Sequence, residues 1–276
     1  MGIVFACIAP HGSEAIPELA GNKSEAFAET RQGLETLARM LRKQEPETII
    51  VATPHNLRLE RAIGIVTSEF TEGSLHENDR QIELRCNCDP ALAKRIYLES
   101  RKQNFPVVAA NYGTSEGETS CMPMDWGTLI PLWFFTHGKK NEFKVVIITP
   151  SREIPFNDLI RFGTVMAKTT EDSGKRVAFV ASADQAHTHR ANGPYGFHPS
   201  AVEFDTAVKR AVQENELGRL FKLPKKLIEE AKPDSLWQIA MLQGVLQTVP
   251  LKAQLLSYQT PTYFGMLCAV YLPGAK

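Results

Sequence analysis

Apolar residues along this chain gather into short continuous runs of strand length, separated by segments in which they recur at helical spacing. Ile3 to Ala9 and Thr48 to Ala52 are the two clearest runs, and Ala62 to Ser68, Pro106 to Asn111, Phe143 to Thr149 and Arg176 to Ser182 predict four further strands. Between the first two, Ser24 to Lys43 repeats Phe27, Leu34, Leu37, Met40 and Leu41 with charges in the gaps, which predicts a helix with one buried face. Pro90 opens a second predicted helix through about Lys102, and Asn157 to Thr170 is a third.

Leu129 to Phe135 is apolar on every side and reads as a buried segment, with Pro131 placed where a first helical turn tolerates it. The stretch from Asn111 to Pro123 has no apolar period and reads as a loop. Toward the carboxyl end, Pro199 to Glu216 and Pro224 to Gln247 are helical, with Pro233 marking a boundary or kink, and Leu251 to Tyr258 with Thr262 to Leu272 form a closing pair of strands. Strands alternating with helices predict an α/β fold: a central mixed, largely parallel sheet flanked by helices on both faces. No compositional break marks a linker, so residues 1–276 are read as one domain.

Charge narrows the function classes. The 31 basic and 31 acidic residues balance, so no bulk field draws the chain to nucleic acid or an anionic membrane, and small ligands are the default partners. The five cysteines are odd in number, two of them inside apolar runs, and imply no disulfide framework; Cys86 and Cys88 are too close in sequence for an ordinary zinc pair. The N-terminus lacks a basic segment before its apolar run, and no apolar stretch approaches about 18 residues, so a cytoplasmic location is expected.

The first two apolar runs share an ending: each closes on Pro followed by His, at Pro10-His11 and Pro54-His55. If these are neighbouring parallel strands, both imidazoles emerge at the same carboxyl edge of the sheet, where open α/β sheets hold their ligands. Two imidazoles there look like half a metal site. The strand Arg176 to Ser182 likewise runs into Asp184, His187 and His189, and His187 is a candidate acid/base, with Asp184 able to orient either imidazole. No Gly-x-Ser-x-Gly elbow exists, Ser13 and Ser182 beside histidines are weak hydrolase signals, and Gly193 to Gly196 lacks the spacing of a phosphate loop.

The ordered set Pro10-His11, Pro54-His55, Asp125-Trp126-Gly127 ahead of Pro131-Leu132, and Asp184-Gln185-Ala186-His187 resembles the class III extradiol ring-cleavage dioxygenases, as in the catalytic subunit of protocatechuate 4,5-dioxygenase. Gly193-Pro194-Tyr195-Gly196-Phe197-His198-Pro199 and Pro261 to Met266 extend the likeness. The resemblance implies non-haem Fe(II), replaceable by zinc in purified protein, held by His11, His55 and a carboxylate, with His187 at the family's catalytic histidine. It implies a small aromatic substrate and O2, and a homo-oligomer with or without a small accessory subunit. Trp126, Asp125, His189, Tyr195 and His198 are the candidates for substrate contact.

Two departures stand out. The family's glutamate ligand is absent at the matching place; Asp234 is the nearest carboxylate, and Glu230 lies one turn upstream. Trp126 stands where many relatives present a histidine, and an indole donates one hydrogen bond but takes no proton. These departures keep two rival classes open, a Memo-type metal-binding or ligand-binding protein without dioxygenase activity and a metal-dependent hydrolase.

Overall fold

The computed structural model describes residues 1–77, 79–137 and 143–274. In chain order its regular elements are β1 (Gly2–Ala9), α1 (Pro17–Ala20), α2 (Ala28–Lys43), β2 (Thr48–Ala52), β3 (Ile63–Val66), β4 (Phe70–Glu77), β5 (Arg80–Asn87) and α3 (Pro90–Lys102). Then come β6 (Val107–Ala110), β7 (Cys121–Pro123), α4 (Trp126–Thr136), β8 (Lys144–Thr149), α5 (Phe156–Asp172) and β9 (Arg176–Ser182). The chain closes with α6 (Ser200–Gln213), α7 (Lys225–Ala231), α8 (Leu236–Thr248), β10 (Leu251–Gln259) and β11 (Met266–Pro273).

Eight strands form the main sheet in the order β10-β11-β1-β9-β2-β8-β3-β6, and β5-β4-β7 make a small second sheet. Strands β1, β9, β2 and β8 run parallel, as do β3 and β6, while β11 joins β1 and β3 joins β8 antiparallel. The period of two along a strand divides the core. Ile3, Ala6 and Ile8 of β1 face the side covered by α3, α5, α6 and α8, whereas Phe5, Cys7 and Ala9 face α2 and α4. Both faces are covered, so the central strands read as continuous apolar runs rather than alternations. Among the described residues no helix is long and apolar enough to cross a membrane.

Three expectations change. β1 and β2 are parallel but not neighbours, because β9 lies between them and pairs with both. The β4–β5 hairpin went unread: its residues from Phe70 to Asn87 are largely polar, and only scattered positions such as Ile82 and Cys86 are buried. Pro131 falls in the second turn of α4 rather than the first, since Asp125 caps that helix by accepting the Thr128 N–H.

Helix α8, which follows Asp234, is seated on α5 through two glycines. A Cβ on Gly244 would stand 1.9 Å from the Ile160 carbonyl oxygen, and one on Gly163 would stand 2.1 Å from that of Met241. Both obstacles are backbone, so a methyl group there forces the helices apart. Gly244→Ala is expected to destabilise the fold by about 2 kcal/mol or more, lowering Tm by roughly 5 °C in calorimetry; an unchanged Tm would show that the helices yield without cost.

Candidate metal centre

The carboxyl ends of β1, β9 and β2 lie side by side, and each delivers polar groups to one buried place. His11 follows β1 by two residues, His55 follows β2 by three, and Asp184 follows β9 by two. Asp234, at the Pro233 break between α7 and α8, comes in from the helical layer. Its Oδ1 accepts the Asp184 backbone N–H at 3.0 Å, and its Oδ2 stands 3.3 Å from the Nε2 atoms of both His11 and His55. The two Nε2 atoms are 3.1 Å apart, and the donor atoms of His11, His55 and Asp234 all lie within 4.8 Å of one another. Two imidazoles and one carboxylate in this arrangement can hold a divalent metal ion.

The hydrogen bonds behind His11 test that fit. Pro131 has no N–H, so the Gly127 carbonyl four residues earlier in α4 lacks its helical donor. The Ser182 hydroxyl, at the end of β9, donates to this carbonyl instead. Its single hydrogen is thereby committed, and Ser182 Oγ accepts from His11 Nδ1 at 3.0 Å. Neutral His11 is therefore the Nδ1–H tautomer, with its Nε2 lone pair aimed at His55 Nε2, Asp234 Oδ2 and, at 3.2 Å, Asp184 Oδ2. A proton on His55 Nε2 can serve only one of these acceptors at a time, so lone pairs and carboxylates converging on one buried point favour a cation among them, as a metal site does.

Without a metal, a proton fills that need. Burial opposes charge on His11, but the carboxylates of Asp184 and Asp234 outweigh it and raise the imidazole to about 9. Burial also works against charge on Asp234, yet His11 and the contacts from both imidazoles hold its carboxyl well below the usual range. Asp184 moves the other way, to about 7, through burial and the neighbouring Asp234, partly offset by His11.

His55 is held differently. Its Nδ1 is buried without a hydrogen-bond partner, and its ring stacks on the Trp126 indole at 4.1 Å between centroids. Gly127 supplies clearance behind it, since a Cβ there would lie 3.3 Å from the imidazole and 2.6 Å from Thr53 Oγ1. The Asp125-Trp126-Gly127 sequence thus caps α4, supports one histidine and anchors the serine that supports the other.

His187 stacks on Phe264 at 5.3 Å and meets the edge of Tyr195. Its Nδ1 is buried, and the ring has the Gln185 backbone as a nearby hydrogen-bond partner, so Nε2 is the nitrogen on the cavity side. Burial, with His11 nearby, lowers its pKa despite Asp234, so it is neutral at pH 7. The cavity has two lobes that share His55, His187, Tyr195 and Asp234. One, of about 670 Å³, runs under α7 and α8; the other, of about 620 Å³, is walled by Trp126, Tyr263 and Phe264.

Of the residues singled out from sequence, the structure brings His11, His55, Asp234, His187, Trp126 and Tyr195 together and places four elsewhere. Glu230 accepts from Ser200 Oγ and lies 3.8 Å from His198, away from the imidazole pair. His198 takes the Ser200 N–H on Nδ1. His189 is paired with Asp205 at 2.7 Å, an aspartate also held by the Tyr258 hydroxyl. Asp125 spends its oxygens on Thr53, Asn56 and Thr128. His198, His189 and Asp125 are thus engaged by partners within the fold, and none of the three lines either lobe of the cavity. Ser182, a weak hydrolase signal in sequence, instead links His11 to Gly127, and the partner of Asp184 is His11, not a histidine of its own loop.

Ser182→Ala removes the acceptor at His11 Nδ1 and orphans the Gly127 carbonyl. Zn(II) affinity, measured by chelator competition, is expected to fall about tenfold or more; unchanged affinity would separate Ser182 from the site. Metal binding must also displace the His11 proton, which persists up to about pH 9. Apparent Zn(II) affinity is therefore expected to rise by up to about tenfold per pH unit from 7 to 9 and flatten above, and a flat profile would count against His11 as a ligand.

Comparison with known proteins agrees with this geometry. Residues 5–268 match the family model LigB, the catalytic LigB subunit of aromatic ring-opening dioxygenase. Protein CA_C1420 of Clostridium acetobutylicum is 26% identical over 251 residues, covering 91% of this chain and 53% of that protein, so the chain spans about half the length of this curated relative. The crystal structure of uncharacterized protein JW3007 from Escherichia coli K12 superposes with a TM-score of 0.62 at 16% identity, over 97% of this chain and 99% of that one. That likeness shows a shared fold, and the family match, across nearly the whole length, shows that the chain belongs to the LigB family of aromatic ring-opening dioxygenase catalytic subunits.

Proposed function

We propose that this protein is an Fe(II)-dependent extradiol dioxygenase that opens a catecholic or aminophenolic ring with O2. In this reading His11, His55 and Asp234 are the metal ligands and His187 carries the proton. The observation behind it is the meeting of that donor set with a neutral histidine whose Nε2 is open to the same cavity. Fe(II) held there would supply the electron relay between a deprotonated diol and dioxygen.

The remaining work falls to side chains of this chain. His187 Nε2 accepts a ring hydroxyl proton and later returns it, a task suited to an imidazole that is neutral at working pH. Phe264 keeps its ring in plane, and Tyr195 and Tyr263 screen it from solvent. Trp126, stacked on His55 and partly exposed, forms the aromatic wall against which a substrate ring lies.

Oxygen uptake by anaerobically Fe(II)-loaded protein, tested with catechols, protocatechuate, gallate and aminophenols, is expected to accompany a yellow ring-opened product. His187→Phe should retain stoichiometric metal and lose turnover by about a hundredfold or more. Full metal occupancy with no oxygen uptake across the panel would move the protein to the ligand-binding class. Loss of metal in His187→Phe would make His187 a ligand instead.

A further inference from the structure

The two lobes of the cavity differ in charge. In the lobe under α7 and α8, Arg58, Arg152, Lys225 and Lys232 face only Glu229 and Asp234, and Asp234 is already engaged with the two histidines. Lys225 and Glu229 pair at 3.3 Å. Arg58, Arg152 and Lys232 form no salt bridge among the described residues; Asp234 favours the charge on Arg152 only from a distance, and Arg58 opposes it. Glu60 and Glu153 line the adjoining hollow beyond the arginines, and Glu153 accepts the Arg61 backbone N–H. Like charges gathered with few counter-ions raise the energy of the fold.

Arg152 is also oriented. Its guanidinium lies over the Trp237 ring, 5.0 Å from the centroid, while the Trp237 indole N–H donates to the Arg152 carbonyl at 3.0 Å. A stacked guanidinium presents its edge donors in a fixed fork, the geometry that matches a carboxylate or phosphate. Lys232 sits two residues before Asp234, over the Tyr195 ring at 6.0 Å. The lobe's volume of about 670 Å³ exceeds what a bare catechol ring fills.

We propose that this basic lobe is a subsite for an anionic arm of the substrate, a carboxylate or phosphate carried on a chain attached to the ring, with Arg152 and Lys232 as its main contacts and Arg58 in support. The inference rests on the ring-cleavage reading and specifies its substrate class: the ring lies against the metal ligands and Trp126, and the arm reaches under α7 and α8. The opposite lobe carries Glu14 and Glu77 with one cation, Lys23, which pairs with Glu14 at 3.0 Å, so Glu77 and the metal-side carboxylate Asp184 are left to disfavour the same arm there and set one orientation.

The test is calorimetric binding to Zn(II)-loaded protein, with 3-(3,4-dihydroxyphenyl)propionate, its neutral amide, and 2-(3,4-dihydroxyphenyl)ethyl phosphate as probes. The two anions are expected to bind at least tenfold more tightly than the amide, and their ratio reads which oxyanion the lobe prefers. Arg152→Gln should remove most of that preference while leaving amide affinity and zinc content unchanged. Lys232 has φ of +52°, a conformation glycine adopts freely, so Lys232→Gly should keep or raise Tm while weakening only the anions. Equal affinity for amide and anions, or a preference that survives both variants, overturns the subsite.

The two readings fail separately. Oxygen uptake with every catechol irrespective of charge would sustain ring cleavage and overturn the anionic arm. No oxygen uptake, with a Tm rise on inorganic phosphate that Arg152→Gln abolishes, would sustain the anion subsite and remove the ring-cleavage reading.

Discussion

Everything at this centre follows from one electrostatic constraint: two imidazole nitrogens and a carboxylate oxygen are held within 4.8 Å of one another in a place that water barely reaches. Such a group favours a positive charge at its centre. A proton on His11 meets the need in the metal-free protein, which is why that imidazole is raised to about 9 even though burial alone would lower it. A divalent ion meets it better, because one charge then serves all three donors at once. The competition between proton and metal is therefore built into the same few atoms.

The fold holds that constraint in place from two sides. The parallel strands β1, β9 and β2 deliver His11, Asp184 and His55 at one sheet edge, and the break at Pro233 lets Asp234 drop in from the helical layer. Gln238 of α8 donates to the Ser182 carbonyl at 2.9 Å, tying the helix that follows Asp234 to the strand end that supports His11. The close seat of α8 on α5, which only glycine permits at Gly163 and Gly244, fixes the same helix from behind. Precision here comes from rigid elements rather than from the loops that carry the ligands.

Much of this was legible in sequence because strand periodicity and Pro-His endings are local signals. Apolar runs identified the strands of the central sheet, and the repeated ending identified both histidines. What was not legible depends on tertiary placement. Nothing local says that β9 inserts between β1 and β2, and without that neighbour Ser182 has no visible task. In sequence His189 and His198 are candidates for substrate contact beside His187, yet Asp205 and the Ser200 N–H engage them inside the fold. The different places of Asp234 and Glu230 likewise follow from a helix break that turns one carboxylate inward and leaves the other on α7 with Ser200.

The two histidines are supported by unlike means, and the difference bears on chemistry. His11 is fixed in tautomer by a chain running through Ser182 and Gly127 to the missing N–H of Pro131, so a helix defect that costs about 3 kcal/mol in an isolated helix is converted into an anchor for the site. His55 has only the face of Trp126, with its Nδ1 unpartnered. A stacked ring is held in plane but not polarised, whereas a donor to a committed hydroxyl gains basicity at the opposite nitrogen. His11 is thus the stronger base of the pair, and His55, next to the exposed indole and shared by both lobes of the cavity, is the side of the centre that faces the open volume.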